Sequence, residues 1–403
     1  MSSIYLERYA WKKRLFPDFK PSKELGQIIV LPAYKEENII EAIESINRCK
    51  KPKCDVLILV VVNESEDASV EIRKANLDSL EELKSFSSTY PILISHQKLP
   101  KKKAGVGLAR KIGMDEAVQL FHEAGGDGII ICYDADSKCD NNYLTSIERT
   151  YENHSVKSGV VFYEHNLNGC NKEEIVSYEL YLRYYIDALR YTGFPYAYQT
   201  LGSCITVRCS QYEKVGGMNT RKAGEDFYFL NKTIPLSGFV EINSTTVRPS
   251  DRISDRVPFG TGKAVRDIKT MSSYEVYHPK TFEDLKLFFG KIEDYWIGNQ
   301  LEIPSSIESF LGSKWHDDIE DLKRKVSSKE MFTKRFFHWF DAFKILKYVH
   351  FVRDQSHSTV PLSEALKWLE GKLEAGLGDN LEEKLLALRK FDRGWSKPNQ
   401  TDL

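Results

Sequence analysis

The sequence places two carboxylates, with one small residue between them, directly after an apolar run. Asp134-Ala135-Asp136 follows 128–132 (GIIIC), which has the composition of a buried strand. Such a pair can hold a hard divalent cation that also takes oxygen atoms from a substrate diphosphate. The alternative is a solvated turn in which the aspartates cap a helix. Asp134 and Asp136 are therefore candidate ligands of Mg2+ or Mn2+, with Asp136 as the principal one.

Two further polar clusters follow apolar runs nearer the N-terminus. The cluster 32–38 (PAYKEEN) comes after 27–31 (QIIVL) and offers a tyrosine ring to a base and acidic residues to a helix N-terminus. The cluster 63–67 (NESED) comes after 56–62 (VLILVVV) and supplies short polar side chains that could contact a base or a ribose. Taken alone, each cluster is also typical of an ordinary turn between a strand and a helix.

The elements that carry these clusters alternate along the chain. Apolar, β-branched runs predict strands, and apolar residues at helical spacing predict helices. The predicted strands are 27–31, 56–62, 92–95 and 128–132, and the predicted helices are 36–48 and 104–124. This order is typical of a parallel sheet covered by helices, in which ligands bind beyond the carboxyl ends of the strands. The three polar clusters are thus expected at one edge of one sheet.

The later part of the chain has a mixed pattern and then becomes helical. Further strands are predicted at 159–163, 205–207 and 240–247, and a further helix at 173–191. The pattern divides the chain into an N-terminal arm (1–26), an α/β domain (27–274) and a helical C-terminal region (275–403). Within this last region, 336–352 predicts one amphipathic helix. We expect that helix to pack on the body of the protein, and docking on a membrane surface is the alternative.

The ordered set of motifs resembles the family 2 glycosyltransferases of the GT-A fold. That family has P-x-Y-N-E-E after its first strand, D-D-x-S after its second and D-x-D after its fourth. The segment 103–117 (KAGVGLARKIGMDEA) is similar to the family's G-x-x-x-A-R-N-x-G helix, with Arg110 in the arginine position. The segment 201–218 (LGSCITVRCSQYEKVGGM) resembles its G-x-x-x-x-R…Y…V-G-G-F segment, and Glu225-Asp226 stands where the family has an acid pair.

The resemblance covers about residues 27–250 and implies both a fold and an activity. The implied fold is α/β of the GT-A type, with a mainly parallel central sheet, helices on both faces and a predominantly helical C-terminal region. The implied activity is transfer of a sugar from a nucleotide-diphosphate sugar, with a UDP-sugar favoured, to a hydroxyl acceptor. It is expected to be metal-assisted and inverting. The acceptor is unknown and could be a saccharide, a lipid-linked molecule or a small molecule.

The resemblance also assigns roles to individual residues. The donor and its nucleotide are expected to contact Pro32, Ala33, Tyr34, Glu36, Asn63, Arg110 and Asp134. Asp136 and Asp134 would hold Mg2+ or Mn2+. The carboxylate of Asp226 is expected to be the general base that takes the proton of the acceptor hydroxyl, with Glu225 as the alternative. An in-line displacement assisted by one base would invert the anomeric configuration.

Some positions depart from the family pattern. Val62-Asn63 stands where family members often have two aspartates, which leaves the identity of the base open. Lys35 and Lys111 replace asparagines. The Q-x-x-R-W signature of processive members is absent, which argues against a polymer synthase.

One rival interpretation is a nucleotidyltransferase, which would need a glycine-rich, basic loop after the first strand. A second rival is a catalytically silent scaffold that retains the fold.

Composition excludes some partners and compartments. A formal net charge of -1 over 403 residues provides no basic field for a nucleic acid, so none is expected as a partner. The 7 cysteines form no C-x-x-C pair, and their odd number makes a disulfide framework unlikely and favours a reducing compartment. Without an apolar leader at the start or a span elsewhere, we expect a cytoplasmic protein with no transmembrane segment. Peripheral contact with the inner membrane face stays open.

A charged run near residue 250 is the last candidate for ligand binding. It contains Arg248, Asp251, Arg252, Asp255 and Arg256 and leads into 257–262 (VPFGTG). Arginines there could pair with the leaving phosphates or with an anionic acceptor, or the run could be a solvated loop with compensating charges. The glycines suggest a loop that closes over the donor.

Overall fold

The computed structural model describes residues 3–253, 260–271, 273–299 and 302–395. The chain falls into two compact units. The first unit consists of Met1–Gly169 and Thr200–Lys263, and the second of Cys170–Gln199 and Ala264–Leu403. The division into an arm, an α/β domain and a C-terminal region that we predicted from the sequence stays a prediction.

An eight-stranded sheet forms the centre of the first unit. Its strands are β1 (Leu25–Ala33), β2 (Asp55–Ser65), β3 (Ile92–Leu99), β4 (Ile129–Cys132), β5 (Lys138–Cys139), β6 (Ser158–Tyr163), β7 (Ile205–Arg208) and β8 (Phe239–Arg248). The order across the sheet is β3-β2-β1-β4-β7-β6-β8-β5. The pairs β1–β2, β1–β4, β2–β3 and β6–β8 are parallel, and β4–β7, β6–β7 and β5–β8 are antiparallel. Every strand predicted from the sequence is present.

Helices pack on this sheet and make up most of the second unit. Those of the first unit are α1 (Ile4–Arg8), α2 (Ile39–Asn47), α3 (Val70–Ser85), α4 (Val106–Ala124), α5 (Tyr143–Glu152), α7 (Cys209–Lys214) and α8 (Glu225–Thr233), with a 3₁₀ turn at Gly202–Cys204. Those of the second unit are α6 (Lys172–Tyr191), α10 (Pro279–Phe289), α11 (Ile292–Ile297), α12 (Ser305–Leu311), α13 (Trp315–Arg324), α14 (Lys329–Trp339), α15 (Ala342–Gln355), α16 (Leu362–Leu373) and α17 (Leu381–Gly394). Helix α9 (Thr261–Ile268) crosses the boundary, and β9 (Glu275–Val276) pairs with β10 (Val360–Pro361). The predicted α/β architecture with a predominantly helical C-terminal region is confirmed.

Helix α4 lies close against the middle of the sheet. A Cβ added at Gly113 would lie 2.5 Å from Cγ1 of Val30 and 3.2 Å from Cγ2 of Val61, so only glycine permits this approach. The β-branched residues of β2 are buried from Val56 to Val62, which requires cover on both faces of the sheet. The close contact fixes α4 along the sheet and therefore fixes the position of Arg110 near its start.

The directions of the strands bring six chain segments to one edge of the sheet. These are the segments that follow β1, β2, β4, β6 and β8, and the turn that precedes β7. β1, β2 and β4 are parallel, so the polar clusters that follow them meet there. β7 is antiparallel to β4, with Thr206 opposite Ile131, so the turn Gly202–Cys204 before β7 lies at the same edge. The carboxyl ends of β6 and β8 lie at this edge too. β6 is antiparallel to β7, and β8 is parallel to β6.

Two of the strands that extend beyond their predicted ends carry predicted site residues in the added part. β1 continues through Pro32 to Ala33, although we expected Pro32 to end it. Tyr133 donates its backbone N–H to the carbonyl of Val30, and β4 ends at Cys132, so the position facing Pro32 needs no N–H donor from β1. β2 continues to Ser65, so Asn63 lies inside the strand and is buried.

The second unit corrects one helix prediction. The expected single helix at 336–352 is wrong, since α14 ends at Trp339 and α15 begins at Ala342. The side chain of Asp341 accepts the backbone N–H of Lys344 at 2.8 Å and caps α15, so a second helix begins here. The described residues contain no helix that is long and apolar enough to cross a membrane.

Candidate active site

The D-A-D turn lies at the sheet edge directly beyond β4. Ser137 donates its backbone N–H to the carbonyl of Asp134 at 3.0 Å, which closes the turn. The side chains remain partly accessible, with 39% of Asp134 and 27% of Asp136 exposed. Both carboxylates can therefore meet a ligand that approaches the edge of the sheet.

Arg110 joins the D-A-D turn to the acid pair. Its guanidinium is buried, and its Nη2 donates to Oδ1 of Asp134 at 2.6 Å. Its Nη1 donates to Oε1 of Glu225, the first residue of α8. The predicted contact of Arg110 with the donor stays a prediction. The geometry gives this residue a positioning role, because both Nη atoms bind carboxylates of the protein.

The turn before β7 lies against this guanidinium. A Cβ added at Gly202 would lie 2.7 Å from Nη1 and 2.9 Å from Nη2 of Arg110, and Arg110 is held by an ion pair on each side. We therefore expect Gly202→Ala to destabilise the protein by about 1–3 kcal/mol through overpacking. The thermal unfolding midpoint measures this. Gly126→Ala is the matched control, since a Cβ there meets nothing within 4 Å, and equal midpoints for the two variants would contradict the prediction.

A second arginine holds the other carboxylate of the turn. Nη2 of Arg252, four residues beyond β8, donates to Oδ2 of Asp136 at 2.9 Å. Its two Nη atoms also donate to the two carboxylate oxygens of Glu36, which is buried. Arg252 is thus a member of the charged run that reaches the site. Asp255, Arg256 and 257–259 of the predicted lid lie outside the described residues.

Two carboxyl groups at this edge, those of Asp136 and Glu225, lie in an environment that disfavours their ionisation. Burial raises the pKa of Asp136 to about 7, and the charges of Asp134 and Glu36 add to the shift while Arg252 opposes it. Burial likewise raises the pKa of Glu225 to about 7, with Arg110 opposing and Asp226 adding. Repulsion among carboxylates is relieved when a cation binds.

The residues present fit a divalent cation at the D-A-D turn. Asp134 and Asp136 offer two partly exposed carboxylates, the ligand type that Mg2+ and Mn2+ prefer. In the described part of the chain, one cluster has three side chains whose ligand atoms lie within 4.8 Å of one another, and it consists of His122, Cys209 and Glu213. The D-A-D turn has no such third ligand among the described residues. A cation held by the two aspartates would complete its coordination with diphosphate oxygens and water.

The candidate nucleotide site is built on β1 and β2. Nδ2 of Asn63 donates to the carbonyl of Ala33 at 2.8 Å, so these two predicted residues are brought together. Asn76 of α3 completes the arrangement, because its Nδ2 donates to the carbonyl of Asn63 at 3.0 Å and its Oδ1 accepts the N–H of Lys35 at 2.9 Å. Lys35 has a φ of 48°, the left-handed conformation that asparagine tolerates better than lysine. Pro32, next to this turn, is buried inside β1, and Tyr34 is half-buried.

The sequence analysis missed Asn76 because it missed the helix that carries it. Of the sixteen residues of α3, only Asn76, Ser79, Leu80 and Leu83 are buried, and two of these four are polar. Such a helix has a weak apolar periodicity. Ser69 at its N-cap, whose side chain accepts the N–H of Ile72, was the one signal available.

The two members of the acid pair differ in their surroundings. Glu225 is buried and bound to Arg110, whereas Asp226 is partly exposed. One carboxylate oxygen of Asp226 accepts the N–H of Phe227 at 2.8 Å. Burial raises the pKa of Asp226 as well, with Arg110 opposing the shift. Asp226 is therefore the more accessible of the two carboxylates.

Comparison with known proteins adds one strong match and several weak ones. The family model of glycosyl transferase family 2 matches residues 28–210. None of the curated protein sequences compared with the chain matches it significantly. The crystal structure of S. aureus TarS 1-349 is 11% identical, with 92% of each chain covered and a TM-score of 0.40. The crystal structure of GalNAc-T7 with UDP, GalNAc and Mn2+ is 12% identical, with 78% of this chain and 57% of that chain covered and a TM-score of 0.39.

The matched range contains the nucleotide site, Arg110 and the D-A-D turn, whereas Glu225, Asp226 and Arg252 lie beyond it. The sheet that carries these residues is the mainly parallel sheet covered by helices that the sequence predicted. Residues 28–210 match the family model of glycosyl transferase family 2, which is the family that the motifs in the sequence resemble.

Proposed function

We propose that this protein transfers a sugar from a nucleotide-diphosphate sugar to a hydroxyl acceptor, with inversion at the anomeric carbon. A UDP-sugar is the favoured donor. The observation that carries the proposal is the bridge made by Arg110, which joins Asp134 of the D-A-D turn to Glu225 of the acid pair. A transferase needs these groups together, because the diphosphate leaves from one side of the sugar and the acceptor attacks from the other.

The donor would lie along the edge formed by β1, β2 and β4. Asn63 and Tyr34 are proposed to face the base, with Pro32 and Ala33 forming the floor of the pocket. Asp134 and Asp136 would hold Mg2+ or Mn2+, which supplies positive charge to the leaving diphosphate. Arg252 is a second source of positive charge, since its guanidinium already lies between Glu36 and Asp136. It can pair with phosphate oxygens when the donor displaces one of these carboxylates.

The transfer step requires one base. The acceptor oxygen forms a bond to the anomeric carbon while the bond from that carbon to the diphosphate breaks, and the acceptor proton passes to Asp226. The partly exposed carboxylate of Asp226 suits this role better than Glu225, which is engaged with Arg110. Burial raises the pKa of Asp226, which makes its carboxylate a stronger base than an exposed aspartate.

A turnover screen tests the proposal. The protein is incubated with Mn2+ and a panel of UDP-, GDP- and CMP-sugars, and nucleotide release is measured with and without candidate hydroxyl acceptors. We expect slow release from one donor class, acceleration by an acceptor and loss of activity with a chelator. Release of pyrophosphate from a nucleoside triphosphate and a sugar phosphate would instead support a nucleotidyltransferase. No turnover of any donor by the folded protein would contradict the proposal.

A further inference from the structure

Two thiols that are far apart in the sequence lie side by side next to the candidate active site. Sγ of Cys49, just after α2, is 3.6 Å from Sγ of Cys139 in β5. Cys49 is buried and Cys139 is half-buried. A disulfide has a sulfur–sulfur distance of about 2.05 Å, so a small rotation of the side chains would bring the two sulfur atoms to bonding distance.

The backbone on both sides of the pair is already held together. Ser45 of α2 accepts the backbone N–H of Cys139 at 2.8 Å through its hydroxyl oxygen. Lys50 donates its backbone N–H to the carbonyl of Asn141 at 2.6 Å. These bonds flank the two cysteines, so closure of a disulfide needs little movement of either segment.

We propose that Cys49 and Cys139 form a reversible disulfide that alters the candidate active site. The oxidant is a small-molecule disulfide such as glutathione disulfide. The Cys139 thiolate attacks one sulfur of the oxidant and releases one glutathione thiolate. The Cys49 thiolate then attacks the Cys139 sulfur of the mixed disulfide and releases the second glutathione. The protein loses two protons and two electrons, and one glutathione disulfide becomes two glutathione molecules.

The order of attack follows from the surroundings of the two sulfur atoms. A hydrogen bond from the Cys49 thiol lowers the pKa of Cys139, and the same bond raises the pKa of Cys49. Cys139 is also the more accessible of the two. Burial raises the pKa of the thiols of Cys54, Cys132, Cys204 and Cys209, which disfavours their reaction.

The location of the pair connects the disulfide to ligand binding. Cys139 comes three residues after Asp136, and its strand β5 pairs with β8, the strand that leads to Arg252. Helix α2, which ends just before Cys49, follows the cluster that contains Glu36. The disulfide would thus link the segments on which Glu36 and Asp136 lie. This functional part rests on the proposed donor site, whereas formation of the disulfide does not.

Peptide mapping of the full chain tests the chemistry. Reduced protein carrying Cys170→Ser, which removes an exposed thiol, is treated with glutathione disulfide, digested without reduction and examined by mass spectrometry. We expect one cross-linked peptide pair that contains Cys49 and Cys139, lost on reduction. The Cys49→Ala variant should instead carry a glutathione adduct on Cys139. Absence of the cross-link in the folded protein would overturn the proposal, as would a cross-link that forms equally well in urea.

Titration with UDP and Mn2+ tests the effect on the site. Because misplacement of a site group by about 1 Å can lower activity a hundred-fold, we expect the oxidised protein to bind at least about ten-fold more weakly and to recover on reduction. The double variant Cys49→Ala, Cys139→Ala can form neither the disulfide nor the glutathione adduct, so its UDP affinity should not change on treatment with the oxidant. Equal affinity in both redox states overturns the functional part of the proposal. If neither state binds any nucleotide while the cross-link still forms, the proposed donor site fails and the disulfide stands.

Discussion

Replacing Asp226 with asparagine is expected to lower kcat by about 10²- to 10⁴-fold, which is the contribution typical of a general base. The amide keeps the shape of the side chain and its hydrogen bond with the N–H of Phe227 but cannot take a proton. Arg110 keeps both of its carboxylate partners, so nucleotide affinity should change less than about three-fold. Steady-state kinetics with saturating donor, together with a UDP titration, separate these two effects.

Glu225→Gln provides the comparison for this variant. Glu225 binds Arg110 directly, so its loss should lower stability and disturb Asp134 as well as activity. Our assignment of the base would be wrong if Asp226→Asn retained turnover while a folded Glu225→Gln variant lost it.

Replacing Arg110 with methionine should destabilise the protein by about 3–5 kcal/mol. Methionine fills a similar volume, but it leaves the buried carboxylate of Glu225 without its positive partner and releases Asp134. An unpaired buried charge is expensive because the protein interior solvates it poorly. Chemical denaturation followed by tryptophan fluorescence measures the loss.

Two further variants show whether this loss comes from the buried carboxylate. Arg48→Met removes an exposed arginine whose ion pair with Glu44 spans 3.6 Å, and we expect a change below about 0.5 kcal/mol. Adding Glu225→Gln to Arg110→Met should restore part of the lost stability, because the double variant no longer buries an unpaired charge. A loss below about 1 kcal/mol for Arg110→Met alone would refute the positioning role.

The sequence predicted the sheet well because its strands have unusually clear signals. The runs 27–31, 56–62 and 128–132 are continuous, apolar and β-branched, and a parallel sheet buried on both faces requires such runs. Their order then places the polar clusters at one edge without knowledge of any contact. The two errors in the helix predictions, the missed α3 and the single helix at 336–352, arose because the apolar pattern did not follow the helix bounds. α3 buries a partly polar face, and the apolar pattern of 336–352 continues through the break that Asp341 makes.

The contacts within the candidate site were less predictable than its location. Arg252 and Glu36 are 216 positions apart, and neither local spacing nor a motif indicates that they pair. Cys49 and Cys139 are 90 positions apart, and the absence of C-x-x-C spacing suggested only unpaired thiols. Such contacts depend on the order of the strands in the sheet, in which β8, the strand that leads to Arg252, lies beside β5, the strand that carries Cys139. A single sequence gives no direct information about that order.

Isothermal titration of the purified protein with UDP, GDP and CMP, each with and without Mn2+, is the decisive experiment for the proposed donor site. We expect one nucleotide to bind, Mn2+ to strengthen its binding, and Asp136→Ala to remove the effect of the metal. Arg48→Met changes an exposed residue that is not among the proposed ligand contacts, so this variant should bind like the unmodified protein. If none of the three nucleotides binds in either condition, the donor site assigned here is wrong and a catalytically silent scaffold becomes the better account.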